Sequence, residues 1–467
     1  MLAQDKNRIH NYSFDTLRKI SRDEACTVHF IGIGGVSMYS LARLTLARGA
    51  RVSGSDVFNG NRISSLASLG VKIHIGHSRA NVRNASLVVC SHAISDDNPE
   101  LSEAKRLSIP TVTRAEYLGA LMLDYSSRIG ISGSHGKSTT TAMLDLIFDK
   151  GGVNHTTLSG ANLIDDEPLR IGMGGTLVYE ACEYKDSFLR FSPTIAAALN
   201  LEYDHADYFS NLDDLVNSFR TSLTRAKDLA LVNGDDANLR EIAKSISTKA
   251  ITFGSGDTND YRYEITRFDD SGFDFSLSKF GSNIGNVRLN IPGVYNVTNA
   301  TAAATIALEY GIPMSTVSDA LSSFKGVEGR LQYIGSRFGR PVYLDYAHHP
   351  TEISSAISAL KALVHRPLTV IFKPHTYSRT KALWQEFCSA LSLADHLVIT
   401  DIFPAREQPI EGVTSHRLAS EIDGAIYAKD SDVPYVTDCF TSGAIVLMGA
   451  GSFEQIKKEI VKTKEHL

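Results

Sequence analysis

With 467 residues, 43% apolar and 21% charged, the chain has room for roughly three domains and the composition of an ordinary globular protein. Its formal charge of −5 excludes the global attraction that nucleic acid or an acidic membrane surface would need, and no apolar run approaches the length that crosses a bilayer. Five scattered cysteines (Cys26, Cys90, Cys182, Cys388, Cys439) contain no C-x-x-C pair, which argues against a disulfide framework or a zinc site and predicts a reducing, cytoplasmic compartment without a leader peptide.

After a polar lead-in that reads as helix, Thr27 to Ile31 is a β-branched strand running into Gly32-Ile33-Gly34-Gly35-Val36-Ser37-Met38, and Leu41, Leu44 and Ala47 continue as a helix. A second strand, Arg51 to Ser53, ends at Asp56, about 20 residues beyond the glycines, where a dinucleotide fold places its ribose-binding acid. Ser37 stands where the third glycine of G-x-G-x-x-G belongs, so the fingerprint is incomplete and a dehydrogenase stays open as one alternative. The strand Leu87 to Cys90, then Ser91-His92-Ala93-Ile94 and a helix opened by Asn98-Pro99-Glu100, extend the βα rhythm, which predicts a first α/β domain over 1–124.

The second domain, expected over 125–327, opens with the apolar run Ile129 to Ile131 and the loop Gly133-Ser134-His135-Gly136-Lys137-Ser138-Thr139. Met143, Leu144, Ile147 and Phe148 predict a helix from Lys137 to Lys150, stopped by Gly151-Gly152. Strand, glycine loop and helix in succession make a phosphate-binding loop. Backbone N–H groups and the helix N-terminus favour phosphate oxygens, Lys137 reaches the outer phosphates, and Ser138 or Thr139 ligates Mg²⁺. Only two residues separate Gly133 from Gly136, a shortened form of the usual four-residue spacing. The strand Thr176 to Tyr179 delivers Glu180, whose carboxylate calls for a metal or a base because its surroundings are apolar, and the strand Thr194 to Leu199 is followed by Asn200, Glu202, Asp204 and His205. Ligands sit beyond the carboxyl ends of such strands, so loop, Glu180 and Asp204-His205 should converge, with Glu180 and His205 as metal ligands and Glu183 and Glu202 as solvated loop acids.

Alternation over Tyr261 to Ile291 predicts an antiparallel meander, and an alanine-rich helix follows Pro292-Gly293. Asn296 and Asn299 share one face of it, placed either to read a purine edge or as an N-cap and a surface amide. Phe324 to Gly329 reads as a linker. A third βα series over 328–467 has strands at Val342 to Tyr346, Leu368 to Phe372, His396 to Thr400 and Ala444 to Met448, with helices near Glu352 to Leu363, Lys381 to Leu391 and Ser415 to Ile422. Its strand ends gather Asp345-Tyr346-Ala347-His348-His349-Pro350, Lys373 to Arg379, Asp401 and Arg406, which marks a site on a doubly wound α/β unit.

His29 to Gly35, Gly133 to Thr141, Glu180 to Glu183, Asp204-His205, Asp345 to Glu352 and Pro374 to Thr380 stand in one order and spacing, and together they resemble the muramyl ligase family over nearly the whole chain. The resemblance implies a Rossmann-like domain for the UDP part of a substrate, a central ATPase of P-loop type and a third domain for the amino acid. It implies an ATP-dependent carbon–nitrogen ligase of peptidoglycan synthesis, acting on UDP-N-acetylmuramate and L-alanine with Mg²⁺, or Mn²⁺ in its place, as a monomer or weak homodimer. The rivals are a family member adding a different amino acid or peptide and a silent nucleotide-regulated homologue. By the resemblance, Gly32, Gly34, Gly35, Ser37, Asp56 and Ser91 hold the UDP substrate. The phosphate loop with Asn296, Asn299, Arg330 and Asp345 holds ATP, and Tyr346, His375 and Arg379 hold the amino acid. Lys137, Glu180, His205, His348 and Arg379 serve catalysis. Gly329 beside Arg330, Tyr295 and Thr376 depart from the family pattern.

Overall fold

Short β-branched runs alternating with helical periods have become strands carrying helices on both sides, gathered into three sheets. The protein, a computed structural model, is described over residues 12–91, 94–164, 169–205, 208–269, 271–405, 407–451 and 453–461. The segment before Tyr12, His92, Ala93 and Arg406 lie outside the described residues.

The first sheet holds β1 (Thr27–Ile31), β2 (Arg51–Asp56), β3 (Lys72–Ile75), β4 (Leu87–Cys90) and β5 (Thr111–Thr113), all parallel, in the order β3-β2-β1-β4-β5. The order reverses at β1, so the loop Gly32 to Gly35 opens at the switch point where such sheets bind ligands.

In chain order the second sheet comprises β6 (Ser127–Ser132), β7 (His155–Leu158), β8 (Leu169–Arg170), β9 (Thr176–Glu180), β10 (Ile195–Ala198), β11 (Leu229–Asn233) and β12 (Ala250–Gly254). The expected meander completes it as β13 (Tyr261–Asp269), β14 (Gly272–Lys279) and β15 (Ser282–Leu289). The spatial order is β15-β14-β13-β12-β11-β10-β6-β9-β7-β8, which sets β6 between β10 and β9. Three strand ends that carry polar groups are thereby adjacent. The helix Lys137–Lys150 forms as its apolar spacing predicts, burying Met143, Leu144, Ile147 and Phe148, each contributing roughly 1.5–3 kcal/mol. Along β9, Leu177 and Tyr179 enter the core shared with the first sheet, whereas Val178 enters the opposite core against that helix.

The third sheet, β16 (Gln332–Arg337), β17 (Arg340–Asp345), β18 (Leu368–Phe372), β19 (His396–Ile399), β20 (Ile426–Tyr427) and β21 (Ala444–Met448), runs β16-β17-β21-β18-β19-β20. It is parallel except for β16, and separate cores cover its two faces. Two expectations change. The segment Phe324 to Gly329 is packed rather than loose, with Phe324 and Val327 buried and Val327 bridged to Leu163. The helix expected over Lys381 to Leu391 is two, Tyr377–Ala382 and Trp384–Leu391, broken at Leu383. Among the described residues no helix is long and apolar enough to cross a membrane.

Candidate active site

The central strand β6 feeds Gly133 and Gly136, both at positive φ (143° and 84°), and a Cβ on Gly136 would strike the Asn299 amide. The helix starting at Lys137 has no side-chain cap, so the N–H groups of its first turn face outward as an anion site. The Ser134 N–H donates to the Asn200 carbonyl at 3.3 Å and its hydroxyl to the Glu202 carbonyl at 3.0 Å, while the His135 N–H donates to Asn200 Oδ1 at 2.8 Å. These contacts bolt the short loop to the segment after β10.

Lys137 Nζ donates to the Gly133 and Ser134 carbonyls and lies 3.1 Å from Glu183 Oε2. Glu183 Oε1 in turn lies 3.4 Å from His205 Nε2. Glu183 is therefore no solvated acid. It is 2% exposed, and although burial works to raise its pKa, Lys137 and His205 hold it below the usual carboxylate range. Burial likewise works to lower the Lys137 pKa, but Glu183, Cys182 and Glu180 outweigh it and the net shift is upward. Glu180 ends β9 beside the loop. Its Oε1 accepts from Ser159 Oγ at 3.1 Å and from the Gly160 N–H. The backbone of His205 is left-handed (φ 60°) and its ring packs on Tyr184. Loop, Glu180 and Asp204-His205 thus converge as the strand ends require.

Facing this group from the third sheet, Arg379 does not offer an empty fork. Its Nε and Nη2 donate to Asp204 Oδ1 at 3.1 and 3.0 Å, and Nη1 donates to His375 Nδ1 at 2.9 Å. Asp204 is buried, which works to raise its pKa, but Arg379, His205 and His348 hold it far below its ordinary value. His348 Nδ1 lies 3.0 Å from the Tyr346 carbonyl, which fixes its proton there and leaves Nε2 as an acceptor. Burial pushes the His348 pKa down to about 4 against the pull of Glu352, so the ring is neutral. The His375 ring lies 5.9 Å from that of His348 and stacks on Phe403; Tyr346 is 45% exposed at the mouth.

Glu202, expected to be solvated, accepts from Thr351 Oγ1 at 2.6 Å and lies 3.4 Å from His135 Nε2, so it joins the second and third parts. His135 Nδ1 meets Glu352 Oε1 at 3.0 Å; burial works to lower the His135 pKa, but Glu352 and Glu202 raise it to about 9.

Asn296 and Asn299 are both buried in the helix Tyr295–Tyr310, neither an N-cap nor a surface amide. Asn299 Nδ2 donates to Asn296 Oδ1 at 3.2 Å. Asn296, Thr139, Arg330 and Tyr343 line a cavity of about 430 Å³ between the second and third parts, sized for a nucleoside. Asp345 ends β17 and is buried. Its two oxygens accept the Leu331 and Ala347 N–H groups at 2.7 Å each, and burial pushes its pKa up to about 6.

In the first part Gly32 has φ 79°, and the uncapped helix Val36–Ala47 begins with Ser37 exposed in its first turn. Asp56 Oδ2 accepts the Gly34 N–H at 2.9 Å and Oδ1 the Phe58 N–H at 3.1 Å, so the acid fixes the glycine turn. Ser91 follows β4, half-buried, beside that turn's strand.

Residues 27–126 match the family model described as Mur ligase family, catalytic domain, 131–307 the Mur ligase middle domain, and 329–451 the Mur ligase, glutamate ligase domain. The chain is 39% identical to the UDP-N-acetylmuramate–L-alanine ligase of Clostridium acetobutylicum, covering 95% of this chain and 98% of that protein. It is 38% identical to the enzyme of the same name from Caldanaerobacter subterraneus, over 93% and 97%. The crystal structure of UDP-N-acetylmuramate-alanine ligase from Thermotoga maritima superposes with a TM-score of 0.80 at 25% identity, covering 93% of this chain and 98% of that one.

Proposed function

The chain belongs to the Mur ligase family, and from that premise we propose its reaction in full: it joins L-alanine to the lactyl carboxylate of UDP-N-acetylmuramate at the expense of ATP, in peptidoglycan synthesis. The observation that carries this reading is Lys137 at an uncapped helix N-terminus, with Glu180, Glu183 and His205 around it and the Arg379–His348 group facing it from the third part. A dehydrogenase would use the first glycine loop and leave the second without a task. We place the three working parts at 1–124 for the UDP substrate, 125–327 for ATP and 328–467 for the amino acid.

A carboxylate is a poor electrophile, so an amide forms only after activation. The lactyl carboxylate attacks the γ-phosphate of ATP, and Lys137 leaves Glu183 to neutralise charge on the transferring group. Ser138 or Thr139, Glu180 and His205 would hold Mg²⁺, or Mn²⁺ in its place. Hydroxyl and carboxylate oxygens with one imidazole suit that ion, and Glu180, whose described hydrogen bonds fall on Oε1, fits it; when bound it supplies charge neutralisation. The resulting acyl phosphate is attacked by the amine of alanine. His348 Nε2, unprotonated at neutral pH, takes the amine's proton as the C–N bond forms, and collapse of the tetrahedral species expels phosphate.

Arg379 holds the alanine carboxylate, which takes over from Asp204 one edge of the guanidinium fork. Arg379→Lys keeps the charge and loses the fork, so the KM for alanine rises much more than that for ATP; a defect confined to ATP would reassign Arg379 to phosphate. ADP release measured with candidate UDP-sugars and all twenty amino acids tests the whole reading. Release should require both UDP-N-acetylmuramate and L-alanine, with glycine and serine as weaker competitors because one methyl group contributes roughly 1 kcal/mol. Release independent of any amino acid would exclude a ligase.

A further inference from the structure

Apart from the groups around ATP, two imidazoles and a carboxylate from three separate segments meet where the second and third parts touch. His135 comes from the phosphate loop, Glu202 from the segment after β10, and His349 from the N-cap of the helix Pro350–Val364; one ligand atom from each lies within 4.8 Å of the others. Glu202 Oε2 is 3.4 Å from His135 Nε2 and 3.6 Å from His349 Nδ1. Such separations suit the edges of a tetrahedron whose centre is about 2.1 Å from each ligand.

Two further features point to an ion. His135 Nδ1 lies 3.0 Å from Glu352 Oε1 while its Nε2 faces Glu202, so a second carboxylate stands behind the ring on the side away from the cluster, where the outer partner of a metal-bound histidine is found. His349 is 6% exposed; its Nδ1, which faces Glu202, accepts the Thr351 N–H at 3.4 Å, whereas its buried Nε2 makes no hydrogen bond and is the nitrogen left to take a ligand without breaking a contact. Two nitrogens and one oxygen select a transition metal over Mg²⁺. The cysteine count is silent here, because the set contains none.

We propose that His135, Glu202 and His349 form a site for a transition-metal ion of the Zn²⁺ class, separate from the ligands of the ATP metal. An ion there ties the phosphate loop to the third part, since each part supplies ligands the other lacks. Without it His135 keeps a proton between Glu202 and Glu352, and ion and proton compete.

The test reads binding and is independent of the ligase reaction. Co²⁺ is titrated into the full chain at mildly alkaline pH and followed by its visible absorption bands, with Zn²⁺ as displacing ion. One equivalent should give the intense bands of low-coordinate Co²⁺, Zn²⁺ should abolish them, and Glu202→Gln and His349→Gln should each lose them. Glu180→Gln, altered at the ATP metal, should keep them. Glu202→Gln is isosteric, and a melt confirms that it is folded. Absence of the bands from the wild type, their survival in folded Glu202→Gln, or their loss in Glu180→Gln would overturn the proposal.

Discussion

Two glycine turns in this molecule are built alike and equipped differently. Each follows a strand in the interior of a sheet, takes a positive φ at glycine (79° at Gly32, 84° at Gly136) and opens a helix whose first residues have no side-chain cap. The first is braced by Asp56 on the Gly34 N–H and continues into Val36 and Ser37. The second is braced by Asn200 and Glu202 on Ser134 and His135 and continues into Lys137, Ser138 and Thr139. Under the proposed function, backbone amides alone hold a diphosphate that must not react. A lysine with metal-binding hydroxyls stabilises one that must. Turn geometry thus specifies an anion, and the residues just after the turn specify its fate.

The largest effect is expected at the cation. Lys137→Ala should lower ADP release by about 10²–10³-fold. It should also lower the melting temperature, because Glu183 is left buried with His205 alone, and breaking such a pair costs about 3–5 kcal/mol. Lys137→Ala/Glu183→Gln should recover much of the melting temperature and none of the activity. A double variant that regains activity would show that the lysine serves packing.

Alanine substitution in each turn gives a matched pair of intermediate size. Each forces a side chain into a left-handed conformation, at about 1–3 kcal/mol. Gly136→Ala should impair kcat and the KM for ATP, and more severely because its Cβ meets Asn299, whereas Gly32→Ala should raise the KM for the UDP substrate about 10-fold and spare ATP. Equal effects of both on ATP would erase the difference between the turns. The smallest change is expected from Asp56→Asn, which keeps an acceptor for the Gly34 N–H and should raise the UDP-substrate KM by roughly 1 kcal/mol or less; a loss as large as that of Gly32→Ala would make Asp56 a direct ligand.

Elements and loops were legible because their signals are local. The period of Met143, Leu144, Ile147 and Phe148 sets the helix Lys137–Lys150, and alternation sets the meander β13–β15. The acids were not legible, since a glutamate in a loop looks the same whether solvated or buried. Glu183 is decided by Lys137, 46 positions earlier, and Glu202 by Thr351, 149 positions later. The strand end that carries Asp345 is legible as a place for polar residues, but that its oxygens accept the Leu331 and Ala347 N–H groups is not, and the spacing of Asn296 and Asn299 brings them together without showing that they bond each other. No proline or glycine between Thr380 and Trp384 announces the break at Leu383 that ends the short helix carrying Arg379.

The central claim is that the second turn transfers a phosphoryl group to the lactyl carboxylate. It is tested most directly by preparing UDP-N-acetylmuramate with oxygen-18 in that carboxylate, running the reaction with ATP and L-alanine, and analysing the released phosphate by mass spectrometry. An acyl phosphate route carries one labelled oxygen into phosphate at each turnover. Unlabelled phosphate, with amide formed at the normal rate, would contradict it.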